Sequence, residues 1–199
     1  MNNTAYLFDL DGTVTRDELL PLIAKGVGLW EEMTILTRLT LEGSIDFQQS
    51  FRLRVALLSP LPLKSVHQAL ARVRVDANIA NFLRAHRHDC YVVTGNLNLW
   101  VKPLLDRLGV ACFASTGARV KNRTVLQSVL NKGDAARQLR TRYRRIIAVG
   151  DSFNDIPMFE NSDIGVAYAG THNPVPTLIR TARFVIRSSE SLCRLLTTL

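Results

Sequence analysis

The stretch AYLFDLDGT, residues 5–13, runs from four apolar residues into two aspartates, a glycine and a threonine. An apolar run that ends near a glycine is typical of a buried β-strand followed by a turn. Asp9 and Asp11 are therefore expected at the carboxyl end of this strand. Two carboxylates this close together disfavour each other's charged form unless a cation is near. The pair belongs either to a polar surface turn or to a site that binds a cation.

After residue 76, strand and helix patterns alternate along the chain. Strands are predicted at residues 89–94, 111–115, 145–150, 163–169 and 183–187, and helices at residues 76–86, 98–109, 132–143, 154–162 and 174–182. Together with the strand that precedes Asp9, this alternation predicts a mostly parallel sheet with helices on both faces. The strands of such a sheet end at one shared edge, where ligands bind in open α/β sheets.

Residues 16–75 interrupt the alternation and contain no convincing strand pattern. Four helices are predicted there, at residues 17–26, 29–43, 46–58 and 62–73. Asp46 is the expected N-cap of the third helix, and Pro62 lies in the first turn of the fourth. An all-helical insertion after the first strand predicts a cap over the carboxyl edge. The expected organisation is a core of residues 1–15 and 76–199 with a helical cap of residues 16–75.

Composition limits the classes of protein that the chain can belong to. Hydrophobic residues form 47% of its 199 residues, which is enough for a buried core and too many for a disordered chain. No apolar run approaches the roughly 20 residues that span a bilayer, and the first residues lack the pattern of a signal peptide. Three widely spaced cysteines match neither a disulfide framework nor a zinc site, so we expect a reducing, cytoplasmic location.

The formal net charge of +8 has three interpretations. It fits a nucleic-acid partner, a small anionic substrate attracted by a positive field, or a basic solvent-exposed surface. The basic residues are scattered except for the run at residues 137–145, and no nucleic-acid-binding motif accompanies them. Nucleic-acid binding is therefore a minor alternative.

Two further polar features follow or precede predicted elements. Thr94 and Gly95 come directly after a predicted strand, where a hydroxyl and backbone N–H groups can hold a phosphate oxygen. Lys132 precedes a helix, where its charge opposes the helix dipole unless an anion is near. Each feature alone also fits an ordinary turn or a surface lysine.

Asp151, Asn154 and Asp155 follow the strand predicted at residues 145–150. Neighbouring parallel strands can bring Asp151 close to Asp9 even though 142 residues separate them (151 − 9). Mg²⁺ takes oxygen ligands and keeps several waters, so one or two carboxylates suffice to bind it. The alternative is that these polar residues only cap the next helix.

The motifs DLDGT, VVTG, Lys132 with Gly133, and GDSFND, in this order, resemble those of the haloacid dehalogenase-like hydrolases across nearly the whole chain. The resemblance implies a Rossmann-like parallel core with a helical cap. It also implies that Asp9 attacks phosphorus to form an aspartyl-phosphate and that Asp11 is the general acid and base. Mg²⁺ is then expected on Asp9, Asp151 and the backbone carbonyl of Asp11.

The same resemblance implies roles for the remaining polar residues. Thr94, Gly95 and Lys132 are expected to bind the phosphate oxygens. Asn154 and Asp155 are expected to orient metal-bound waters and the hydrogen bonds of the site.

Residues 41–62 resemble the cap of the phosphoserine phosphatases. By this resemblance Glu18 faces the substrate ammonium, Arg54 pairs with its carboxylate, and Phe47 helps to close the site. Without it, Glu18 would be a first-turn helix charge and Arg54 a solvated helix residue.

Four differences from that family bear on the substrate. Gly12 and Ser152 replace a frequent serine and glycine, and Leu41 stands where methionine is common. Residues 116–131 are short for the family's hairpin.

These observations predict a Mg²⁺-dependent phosphomonoester hydrolase that acts on phosphoserine or a similar small phosphorylated amino acid. One alternative is a phosphatase or phosphotransferase for another small phosphometabolite. Another is a non-catalytic or nucleic-acid-binding protein on the same fold. The expected partner is a small phosphorylated metabolite, with no membrane, and the sequence does not determine the oligomeric state.

Overall fold

A seven-stranded sheet lies at the centre of the computed structural model, which describes residues 3–199. Its strands are β1 (Thr4–Phe8), β2 (Cys90–Leu97), β3 (Ala111–Val120), β4 (Arg123–Ser128), β5 (Arg145–Gly150), β6 (Ile164–Tyr168) and β7 (Phe184–Ile186). Their spatial order is β4-β3-β2-β1-β5-β6-β7, and every neighbouring pair is parallel except β3 with β4. The predicted α/β class and the mostly parallel sheet are confirmed. Residues 1 and 2 of the predicted core segment 1–15 lie outside the described residues.

Ten helices surround the sheet within residues 3–199. They are α1 (Leu19–Ala24), α2 (Trp30–Leu41), α3 (Phe47–Leu58), α4 (Leu63–Leu70), α5 (Ala77–Ala85), α6 (Asn98–Leu108), α7 (Lys132–Leu139), α8 (Ile156–Glu160), α9 (Pro176–Thr181) and α10 (Ser189–Thr198). No helix among these residues is long and apolar enough to cross a membrane.

The central position of β1 explains its continuous apolar sequence. Leu7 pairs with Tyr91 of β2 on one side and with Ala148 of β5 on the other. Leu7 packs in a cluster that includes residues of α7, α8 and α9, whereas Phe8 packs in a cluster that includes residues of α5, α6 and α10. Strands covered on both faces are apolar along their whole length, because each side chain in turn enters a core.

The four helices expected within residues 16–75 are present as α1 to α4. Asp46 caps α3 as predicted, since its carboxylate accepts a hydrogen bond of 2.9 Å from the backbone N–H of Gln49. Pro62 is the residue immediately before α4.

Two backbone crossings connect this helical segment to the rest of the chain. Thr15 and Val75 form an isolated antiparallel bridge. On either side of it, the N–H of Arg16 donates to the carbonyl of Arg74 and the N–H of Asp76 donates to the carbonyl of Val14, at 2.9 and 3.0 Å. The two crossings therefore lie side by side.

Three features of the structure differ from the sequence predictions. β3 continues to Val120 and folds back as β4 through a short turn in which Lys121 has a φ of +53°. A hairpin thus exists in the stretch that was expected to be short for one. Helix α10 was not predicted, and α7 ends at Leu139 rather than at residue 143.

Candidate active site

Asp9 and Asp151 come together because their strands are neighbours. Asp9 follows β1, Asp151 follows β5, and these strands pair in parallel. Asp155 lies four residues beyond Asp151, and carboxylate oxygens of the three residues lie within 4.8 Å of one another. All three side chains are buried. The sequence prediction that separate strand ends meet at one site agrees with this geometry.

Lys132 supplies a positive charge inside this cluster. Its Nζ donates hydrogen bonds to Oδ1 of Asp9 and, at 2.7 Å, to Oδ1 of Asp155. Burial lowers the pKa of Lys132, but the two carboxylates outweigh burial and raise it, so the ammonium stays charged. The charge at the start of α7 is thus compensated by anions, as its position at a helix N-terminus requires.

One lysine does not neutralise the cluster. Burial raises the pKa of Asp9 to about 8, although Lys132 opposes the shift. Burial also raises the pKa of Asp151 well above its usual value, and the charges of Asp9 and Asp155 raise it further. A bound divalent cation reverses this kind of shift, because it stabilises the ionised carboxylates. The electrostatics therefore favour a further cation at this site.

The hydrogen bonds show which oxygens could hold that cation. Both oxygens of Asp155 accept hydrogen bonds, Oδ1 from Lys132 and Oδ2 from the N–H groups of Asp151 and Ser152 at 3.0 Å. Both oxygens of Asp151 are buried and have no hydrogen-bond partner among the described residues. Buried oxygens without donors are rare in folded proteins and suit a hard divalent cation. The residues present therefore fit a metal ion.

The carboxylate of Asp11 is held by two donors. Its Oδ1 accepts from the backbone N–H of Leu19 at 2.8 Å, and its Oδ2 accepts from Nδ2 of Asn96 at 2.6 Å. Burial raises the pKa of Asp11 to about 6 even though both hydrogen bonds lower it. A carboxyl group with a pKa near neutrality can both give and take a proton.

Thr94, Gly95 and Asn96 lie in the last part of β2, where the register with β3 is irregular, rather than in the turn that the sequence predicted after residue 94. Oγ1 of Thr94 accepts from the backbone N–H of Asn96 at 3.1 Å. A Cβ at Gly95 would overlap the ring of Phe47, which stacks on Phe51 with a centroid distance of 5.6 Å. Glycine at this position therefore permits the close approach of the Phe47 ring.

A small cavity of about 40 Å³ lies between the sheet edge and the helices α1 to α3. It is lined by the predicted site residues Asp9, Asp11, Glu18, Phe47, Arg54, Gly95 and Asn154, and also by Leu20, Thr37, Thr40, Leu41, Phe51, Asn96 and Ser152. Leu41, the position that differs from the phosphoserine phosphatases, is thus part of the cavity wall. The other predicted residues, Thr94, Lys132, Asp151 and Asp155, lie next to the cavity and contact residues around it.

Glu18 and Arg54 bring opposite charges to this cavity without pairing. Oε1 of Glu18 is buried and has no hydrogen-bond partner among the described residues. The buried guanidinium of Arg54 donates to Oγ1 of Thr37 at 3.3 Å, and no carboxylate of residues 3–199 lies within 4.0 Å of it. Burial raises the pKa of Glu18 well above its usual range and lowers that of Arg54 to about 10.

Several polar residues of the site were not predicted from the sequence, among them Asn96, Thr37 and His172. Asn96 bonds Asp11, Thr37 bonds Arg54, and Nε2 of His172 lies 3.1 Å from Oδ2 of Asp151. Asn96 could have been found, because a polar residue directly after Thr94 and Gly95 must lie at the same sheet edge. No local pattern marks Thr37 or His172.

A comparison with protein families identifies the fold family from the sequence. The model of the haloacid dehalogenase-like hydrolases matches residues 6–160. The chain belongs to this family. The predicted family membership and fold class are thereby confirmed, because the match covers more than half of the chain.

Among curated members of the haloacid dehalogenase-like hydrolases, the chain is similar to phosphoserine phosphatases. That of Methanocaldococcus jannaschii is 28% identical over 176 residues, which cover 81% of this chain and 83% of the relative. That of Streptomyces coelicolor is 29% identical over 81% of this chain but only 43% of the relative, so the chain spans less than half of that protein. A solved structure described as a phospho-aspartyl intermediate analogue of phosphoserine phosphatase matches with a TM-score of 0.83 and 25% identity, over 98% of this chain and 99% of the other.

Proposed function

We propose that this chain is a Mg²⁺-dependent phosphomonoester hydrolase that forms an aspartyl-phosphate on Asp9 and acts on phosphoserine or a similar small phosphorylated amino acid. The observation that carries the substrate class is the unpaired, opposite charges of Glu18 and Arg54 on the wall that also contains Asp9. A phosphorylated amino acid offers an ammonium to the first and a carboxylate to the second. The names of the similar proteins support the same assignment.

The nucleophile is Asp9. One of its oxygens, Oδ1, accepts a hydrogen bond from Lys132, which orients the carboxylate. The other oxygen attacks phosphorus, the bond from phosphorus to the substrate oxygen breaks, and the phosphoryl group is transferred to Asp9. Lys132, together with the hydroxyl of Thr94 and the N–H of Gly95, binds the phosphoryl oxygens.

Asp11 is the proton donor and acceptor in this proposal. It lines the cavity with Asp9, and Leu19 and Asn96 hold its two oxygens. In the first step its carboxyl proton passes to the departing substrate oxygen. In the second step the carboxylate takes a proton from the water that attacks the aspartyl-phosphate, which returns both residues to their starting states.

Mg²⁺ would be held by the side chains of Asp9 and Asp151 and by the backbone carbonyl of Asp11. When bound, it neutralises negative charge on the phosphoryl oxygens and on the carboxylates. Asp155 supports Asp151 by accepting hydrogen bonds from the turn that carries it. Asn154, whose Oδ1 accepts a hydrogen bond from Oγ of Ser152, orients waters of the site.

Residues 16–75 act as a cap on a core of residues 1–15 and 76–199. The support for this division is that the cavity takes its walls from α1 to α3 on one side and from the strand ends on the other. Phe47 covers Gly95 and so shields the phosphate-binding segment from solvent. Exclusion of water during transfer protects the aspartyl-phosphate until its own water enters.

The test is phosphate release from a panel of phosphoserine, phosphothreonine, sugar phosphates and p-nitrophenyl phosphate, with Mg²⁺ and with excess EDTA. We expect phosphoserine to have the highest kcat/KM and activity to disappear in EDTA. Asp9→Asn should abolish release while its thermal unfolding stays close to that of the wild type. Preference for a sugar phosphate would reject the substrate class, and normal turnover by Asp9→Asn would reject the covalent mechanism.

A further inference from the structure

The carboxylate of Asp151 lacks the hydrogen-bond support that Asp9, Asp11 and Asp155 have. The backbone N–H of Asp151 donates to Asp155 at 3.0 Å, which fixes its main chain. Its two carboxylate oxygens receive no hydrogen bond from the described residues, although the side chain is buried. By contrast, Lys132 holds Asp9 and Asp155, and Leu19 and Asn96 hold Asp11.

The imidazole of His172 faces this carboxylate. Its Nε2 lies 3.1 Å from Oδ2 of Asp151 and is itself buried, without a hydrogen-bond partner among residues 3–199. Two buried polar atoms therefore face each other at hydrogen-bond distance, although the angle is not that of a hydrogen bond. A buried donor or acceptor left unpaired is unfavourable, so a small rotation of either group that pairs them is favourable.

The loop that carries His172 is anchored to the segment after β1, next to Asp151. Oγ1 of Thr171 donates to the backbone carbonyl of Gly12 at 2.7 Å, which fastens the loop to the turn after β1. On the other side of the loop, Oδ1 of Asn173 accepts from Nη2 of Arg187 at 3.2 Å in an exposed contact. The bond of Thr171 to Gly12 is therefore the contact that holds the imidazole beside Asp151.

Gly12 leaves the space in which the two side chains meet. Its φ is +73°, and a Cβ there would overlap Oδ2 of Asp151 and lie 3.1 Å from Cε1 of His172. Glycine at this position therefore permits the approach of the imidazole to the carboxylate.

We propose that His172 is a positioning residue for Asp151: its Nε2–H donates to Oδ2 and holds the carboxylate so that the other oxygen is presented to the metal ion. This role rests on the metal dependence of the proposed function. Ligand-supporting hydrogen bonds of this kind typically contribute about 10- to 100-fold to metal affinity. His172 itself contacts neither the metal nor the substrate.

The first measurement is metal binding without substrate, by titration of Mn²⁺ followed by electron paramagnetic resonance and of Mg²⁺ by calorimetry. His172→Leu keeps the bulk of the side chain and removes the donor. It is expected to raise the dissociation constant of the metal ion about 10- to 100-fold. His172→Gln, whose amide nitrogen can reach the position of Nε2, is expected to recover most of the affinity. Asn173→Ala is the matched control on the same loop and is expected to bind metal like the wild type.

The second measurement is the Mg²⁺ dependence of turnover. His172→Leu should need a correspondingly higher Mg²⁺ concentration for half-maximal activity, with kcat at saturating Mg²⁺ close to that of the wild type. Thermal unfolding of each variant checks the fold, and His172→Asn, which is polar but too short, replaces His172→Leu if that variant does not fold.

Unchanged metal affinity in folded His172→Leu, or in the His172→Asn variant that replaces it, would overturn the role of His172 and leave the proposed function intact. Equal losses in His172→Leu, His172→Gln and Asn173→Ala would also overturn it, because they would assign the effect to the loop. If the wild type binds neither Mn²⁺ nor Mg²⁺, both this inference and the metal-dependent mechanism fail.

Discussion

At the scale of single residues, the proposed substrate class rests on the two charges that face the cavity. Glu18 and Arg54 are both buried in part or in full, and neither has a partner of opposite charge within an ion-pair distance in residues 3–199. A buried charge without a partner is unfavourable, so a ligand that pairs with both is favoured. A sugar phosphate would leave both charges unpaired.

Arg54→Ala is expected to lower kcat/KM for phosphoserine by about 30- to 5,000-fold, which corresponds to roughly 2–5 kcal/mol for removing one partner of a buried charge pair. The same change should alter kcat/KM for p-nitrophenyl phosphate by less than about threefold, because that substrate has no carboxylate to lose. Arg52→Ala, an exposed neighbour on the same helix, is the control. Equal losses on both substrates would assign a structural role to Arg54.

The effect of a side chain at position 95 depends on the ring of Phe47, which covers Gly95. Gly95→Ala is expected to lower kcat/KM by about 100-fold, because the new Cβ displaces Phe47 and misplaces the segment that binds phosphate. The effect should nearly vanish when Gly95→Ala is introduced into Phe47→Ala, since the overlap is then absent. This double-mutant cycle measures the coupling directly. Additive losses would mean that the ring contact is not the reason for glycine.

At the scale of secondary-structure elements, Asp76 connects the helical segment to the core. Its Oδ1 accepts from the N–H groups of Asn78 and Ile79 at the start of α5, at 3.0 and 3.2 Å. Its Oδ2 accepts from Nη2 of Arg16 at 3.0 Å. Burial raises the pKa of Asp76, but the hydroxyl of Ser189 together with these donors outweighs burial and lowers it. The charge therefore stabilises the junction.

Asp76→Asn is expected to lower the free energy of unfolding by about 1 kcal/mol at pH 7, because asparagine keeps the helix cap but loses the charge-assisted bonds. Since the folded-state pKa is below the unfolded one, this stabilisation is present above the unfolded pKa and is lost as pH falls through the folded value. The difference between wild type and variant should therefore shrink below about pH 4. Urea unfolding across this pH range tests it.

Asp106→Asn provides the comparison for that measurement. Asp106 forms an exposed pair with Lys102 at 3.0 Å, and exposed pairs contribute little to stability. Its expected effect at pH 7 is below about 0.5 kcal/mol. A loss as large as that of Asp76→Asn would mean that general surface charge, rather than the junction, explains both results.

At the scale of the whole molecule, the small cavity bears on how the proposed substrate enters. A volume of about 40 Å³ holds only a few water molecules, so we expect the surrounding helices to move when a phosphorylated amino acid binds. The chain crosses between the helical segment and the sheet at residues 14–16 and 73–76, and these crossings lie side by side. Two adjacent chain crossings of this kind can serve as the hinge of a lid.

Beryllofluoride with Mg²⁺, which mimics a phosphorylated aspartate, is expected to slow amide hydrogen exchange in residues 19–70. The physical reason is that a ligand bound between cap and core stabilises the closed arrangement. Helix α10, which packs against α5 and β7 of the core, is the internal reference, and its residues 192–198 should exchange equally with and without the ligand. Equal exchange of residues 19–70 in both states would argue against a lid.

Much of the fold could be predicted from sequence because its signals are local. The apolar run before Asp9 and the helix–strand alternation after residue 76 identify the parallel sheet, and the helical periodicity of residues 16–75 identifies α1 to α4. The parts that were missed, β4 and α10, carry weaker signals. β4 is an exposed edge strand stabilised by its pairing with β3, and the amphipathic α10 packs against α5 and β7.

The sequence by itself placed Asp9 and Asp151 after two predicted strands of one parallel sheet, and the family resemblance implied that they share a metal ion. The tertiary structure made them neighbours, because β1 and β5 pair in parallel and so end at the same edge. Only the tertiary structure decided which donors hold each carboxylate. Asn96 lies 85 residues from Asp11, and the His172 loop reaches Asp151 through the approach that Gly12 permits. Periodicity records which face of an element is buried, whereas a hydrogen bond between two loops depends on their positions in space, which no local pattern contains.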